Sequence, residues 1–82
     1  RVSIDPQTAV MHAINAIGDE IDAKSASAVL SNLVSLGRLT ERECRLLTHA
    51  VSSRALQPAD KSCRDHLRAN LLKTALVSIL TD

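Results

Sequence analysis

An 82-residue chain makes one domain, able to bury roughly 60–65% of its unfolded surface. It has no Phe, Tyr or Trp, so its core must come from 12 Leu, 5 Ile, 6 Val and many Ala; with two Gly and two Pro, this excludes a turn-rich sheet protein and favours closely packed helices. A formal net charge of +1 excludes a strong overall field, and no apolar run approaches the ~18 residues of a membrane span.

The charge is uneven. Residues 1–37 hold two basic and four acidic groups, and residues 38–82 hold eight and five. That lean is too small for a nucleic-acid signature. The chain starts at Arg1 with no initiator Met and no signal-like segment. It reads as a domain (residues 1–82) cut from a longer intracellular protein of the cytoplasm or nucleus. Cys44 and Cys63 fall on expected apolar helix faces and read as buried thiols, since disulfide-stapled domains are denser in Cys.

In chain order, Asp5-Pro6 opens a first helix, with Asp as cap and Pro where its missing amide costs nothing. Val10, Ile14, Ile17 and Ile21 recur at helical spacing. Gly18 interrupts them, so the helix either stops there or runs on to Ile21 with a weak point of ~1 kcal/mol. Asp22 or Ser25 caps a second helix, whose wide stripe is Ala26, Val29, Leu30, Leu33, Val34 and Leu36. Gly37 ends it in a left-handed turn. Thr40 and Glu43 form a capping box for a third helix, and Leu39 can staple onto Cys44. That helix is expected to run from Glu41 to about Leu56, with Cys44, Leu47, Val51 and Ala55 facing inward, until Pro58 forbids continuation. Pro58-Ala59-Asp60 starts a fourth helix that reaches about Leu80. Cys63, Leu67 and Leu71 define one face of it, and Leu72, Ala75, Leu76, Ile79 and Leu80 centre roughly 150° away. A helix with so wide an apolar arc is either wedged among several others or completes an interface. The connections are short enough to make neighbours antiparallel. The expected fold is a compact all-α bundle of four, or five, short antiparallel helices.

Chemistry is sparse. Cys63-x-x-His66 has the spacing of two zinc ligands, but Cys44 and His49 lie about 140° apart on their helix and cannot readily share a metal. Asp65 and His66 are adjacent and face different ways, which makes a poor dyad. No Gly-rich phosphate loop is present. No enzyme, cofactor or metal is expected. Several basic groups of the second half have an acid one turn away: Glu41–Arg45, Asp60–Arg64 and Asp65–Arg68. With no aromatic to stack a base, nucleic acid is the lesser alternative.

The run Leu47-Thr48-His49-Ala50-Val51-Ser52-Ser53-Arg54-Ala55-Leu56 resembles part of a helix in the Set2-type domain that binds the phosphorylated tail of RNA polymerase II. It covers ten residues, and the aromatics upstream in that family are absent here. The resemblance implies a transcription-related peptide binder. The sequence thus points to a non-enzymatic protein-interaction module, an adaptor or scaffold in transcription or regulatory assembly. On the third helix, Arg42, Leu46, His49 and Ser53 make an outward stripe with Arg45 at its edge. The expected partner is another protein offering a peptide or helix, an acidic or phosphorylated amphipathic segment, with Leu46 filling its pocket and Arg42, Arg45 and His49 meeting its charges.

Overall fold

The computed structural model describes residues 6–52 and 54–81. Four helices follow one another: α1, Pro6–Ile17; α2, Ala23–Ser35; α3, Glu41–Ala50; and α4, Lys61–Thr81. No strand occurs among the described residues, and the fold is the expected helical bundle. The cap at Asp5 and the stripe position Ser53 lie outside the described residues.

The local signals act where the sequence puts them. Gly18 adopts φ +66° and stops α1 one residue after Ile17. The Asp22 carboxylate accepts from the Ser25 amide at 2.7 Å and caps α2. At the other end Gly37 turns left-handed at φ +77°. Its amide donates to the Val34 carbonyl and the Arg38 amide to the Leu33 carbonyl, both at 3.0 Å. This Schellman pattern satisfies two orphan carbonyls of α2. Two residues on, Thr40 Oγ1 accepts from the Glu43 amide at 3.1 Å while Glu43 Oε1 accepts from the Thr40 amide at 3.0 Å, the complete capping box. Leu39 is buried in the core, and half-buried Cys44 packs against the same cluster.

α4 packs chiefly on α1 and α2, and α3 rests chiefly on α2. The core is Val10 and Ile17 of α1, Ala26, Leu30 and Leu33 of α2, Leu39 and Val51 flanking α3, and Ala69, Leu72 and Leu76 of α4. Small Ala26 and Ala69, both fully buried, let the backbones approach closely.

Three expectations fail, each for a physical reason. First, α3 ends at Ala50 rather than near Leu56. A continuing helix would offer the Val51 carbonyl to the Ala55 amide. Instead Arg68 Nε donates to that carbonyl at 2.5 Å and the Ala55 amide turns to the Ser52 carbonyl at 3.1 Å. Ser52 Oγ also donates to the His49 carbonyl, a local bond that competes with helix. Ala55 is therefore exposed, not inward. Second, Cys63, Leu67 and Leu71 face solvent; the inner face of α4 is Arg68, Ala69, Leu72 and Leu76. Third, the thiols are not both buried: Cys44 is half-buried and Cys63 exposed.

Candidate partner-binding surface

The four sequence-derived binding residues sit on α3 and reach solvent. Leu46 is 61% exposed, more than any other large apolar side chain among the described residues. Its neighbours do not converge on one depression. Leu46 lines a trough between α3 and α4, with Leu39, Glu43, Leu47, Ala75, Ser78 and Ile79. The trough continues past Leu47 and Ala75 to Ala50, Val51, Asn70, Leu71 and Thr74. Arg45 instead lines a groove between α2 and α3, with Ser31, Val34, Glu41 and Cys44. Arg42 and His49 stand between these two hollows on the crest of α3.

The basic half is less available than its sequence suggests. Arg68 is 1% exposed. Besides the Val51 carbonyl, its guanidinium reaches the Ile21 carbonyl at 2.8 Å and the Asp65 carboxylate, so a buried charge is fully engaged. Asp65 is also bound by Lys61 Nζ at 2.7 Å. The Lys61 hydrogen bond, with Arg68 adding to it, holds the Asp65 carboxyl below its ordinary range; the same bond raises Lys61. Arg64 folds back on the Pro58 and Ala59 carbonyls rather than pairing with Asp60. Asp60 instead accepts from the Cys63 amide at 3.0 Å as the cap of α4, which lowers its pKa. Arg38 Nη2 donates to the Ile79 carbonyl at 2.6 Å near the end of α4. Among the described residues, the expected Glu41–Arg45 ion pair is absent. This leaves Arg42 and Arg45 as cations without an ion pair on α3.

A second feature joins the turn after α1 to the start of α4. Glu20 Oε1 accepts from Ser62 Oγ at 2.9 Å and lies 3.3 Å from His66 Nε2. The Ile21 amide donates to the Asp65 carbonyl. Glu20 and the Ile21 amide thus tie the turn after α1 to the start of α4. Cys63 and His66 form no metal-ligand group, and none of three or more potential ligands exists among the described residues.

Helical periodicity shows both apolar faces of α4 but not which one the fold covers. The uncovered face carries Leu67, Leu71 and Val77, at 36%, 42% and 47% exposure. Elsewhere Met11 and Leu36 remain exposed, Leu36 in a groove floored by Ala9, Ala13 and Ala16.

Comparison with known proteins bears on this surface. A family model described as the CtsR C-terminal dimerization domain matches residues 5–77. The transcriptional regulator CtsR of Staphylococcus haemolyticus (strain JCSC1435) is 34% identical over 67 residues, which cover 82% of this chain and 43% of that protein. The chain therefore spans less than half the length of the curated relative it matches. No solved structure matches.

Proposed function

The chain belongs to the CtsR C-terminal dimerization domain family, and on that premise we propose that it is a non-enzymatic module through which two copies of a transcriptional regulator associate. The partner is then a second copy of this chain, rather than the phosphorylated segment expected from sequence. One observation carries the reading: of the six large apolar side chains that stay at least 36% exposed, four (Leu46, Leu67, Leu71 and Val77) lie on α3 and α4, and Leu46 is the most exposed. Single exposed apolar residues are normal, but several on neighbouring surfaces mark a face meant to be covered. The Set2-type resemblance does not support a peptide-binding helix, because the run from Leu47 to Leu56 leaves the helix after Ala50. The test is sedimentation equilibrium of the 82-residue chain. The expected mass is twice that of the chain, 8.8 kDa; a monomer at millimolar concentration overturns the proposal.

A second reading rests on the two arginines without an ion pair. An acidic segment of another protein could seat on Arg42, Arg45, Leu46 and His49, where charge-assisted hydrogen bonds would form. Arg42→Glu separates the two readings. It abolishes capture of an acidic partner and leaves a dimer joined through apolar side chains intact.

A further inference from the structure

The outward side of α4 has the spacing of a helix-pairing seam. Cys63, Leu67, Asn70, Thr74 and Val77 follow at intervals of four, three, four and three. All five are exposed. This alternation keeps one line of side chains facing a neighbouring helix, and the line contains no Asp, Glu, Lys or Arg. Depletion of charge is what distinguishes the centre of a protein interface from the rest of a surface. The opposite side of α4 is apolar, where Ala69, Leu72 and Leu76 close the monomer core. An uncharged line that carries Leu67 and Val77, on a helix whose other side is core, leaves a second side to be covered.

We propose that two copies of this chain meet along this seam, α4 against α4, with Leu46 of α3 closing one flank. This rests on the self-association reading and names its face. A twofold contact requires one patch to match itself, and a charge-free seam places no like charges in opposition. Area explains why α3 takes part. A helix of 21 residues is about 30 Å long and about 10 Å across, a strip of roughly 300 Å². A stable interface buries about 800 Å² per partner. The trough beside Leu71 and Ala75, with Leu46 beyond it, is contiguous with the strip and supplies further area. The groove holding Leu36 lacks such a line: Leu36 is the one large exposed apolar residue that lines it, and Ala9, Ala13 and Ala16 make the α1 side.

The experiment compares three chains by sedimentation and circular dichroism. Leu67→Asp with Val77→Asp raises the dimer dissociation constant at least tenfold and leaves the helical spectrum unchanged. Met11→Asp with Leu36→Asp leaves the dimer as it is. In a separate arm, Thr74→Cys on a Cys63→Ser background is joined to a covalent dimer by a short bis-maleimide. A dimer that survives Leu67→Asp with Val77→Asp, or that persists while Thr74→Cys fails to cross-link, overturns this face alone. A wild-type chain that sediments as a monomer overturns the self-association reading beneath it.

Discussion

Among the described residues, Arg68 is the buried charged side chain, and it ties three parts of the chain together. It lies within a buried apolar face, next to Ala69 and one turn from Leu72. From there it reaches the carbonyl that ends α3, the turn after α1 and a carboxylate of its own helix. Removing it strands two carbonyls and leaves Asp65 with one cation. Arg68→Ala should therefore destabilise by about 3–5 kcal/mol, the range for breaking a buried charge pair. Urea unfolding followed by circular dichroism reads the loss, and a change under 1 kcal/mol would show that water replaces the guanidinium. Leu46 makes the opposite case. A large apolar residue at 61% exposure is cheap to remove from the monomer, so Leu46→Ala should leave monomer stability within about 0.5 kcal/mol.

At the scale of the helix, caps and faces can be tested separately. Thr40→Ala should cost about 1 kcal/mol, because it takes the acceptor from the Glu43 amide. The caps also carry a pH signature. The Ser25 amide lowers Asp22, the Thr40 amide lowers Glu43, and the Cys63 amide lowers Asp60. A depressed carboxyl stabilises the fold fully above its unfolded value and loses that contribution as pH falls through the folded one. Thermal stability should therefore hold above the ordinary values of 3.8 for Asp and 4.5 for Glu and fall steadily below them. A flat melting temperature down to pH 2 would contradict the caps. On α4 the two apolar faces should respond differently. Leu72→Ala opens a cavity at a fully buried site and should cost about 2–5 kcal/mol. Leu67→Ala, 36% exposed, should cost well under half of that in the monomer. Equal losses would mean that α4 is turned the other way.

For the whole molecule, association and stability are linked. Anything that binds the folded chain but not the unfolded one raises stability with its concentration. If two copies pair, the melting temperature should climb as protein concentration rises from micromolar to millimolar, and Leu67→Asp with Val77→Asp should abolish the climb. A concentration-independent transition in the wild-type chain would speak for a monomer. Although α4 has 21 residues, no described helix is long and apolar enough to cross a membrane.

The sequence by itself determined the elements and most of their ends. Gly18, Asp22, Gly37 and Thr40 with Glu43 are local devices, and each acts through bonds spanning only a few residues. It also showed that the fourth helix is apolar on two sides and that Leu46 points outward. Only the tertiary structure decided which side of α4 is core. That choice depends on Arg68, whose burial is tolerated because carbonyls at Ile21 and Val51, 47 and 17 residues away, come to meet it. The same contact decided where α3 stops, by taking a carbonyl that the helix would have used. Periodicity cannot register partners so distant in sequence. It therefore left both faces of α4 as candidates, and Leu67 and Leu71 became surface once a charged residue found its partners inside.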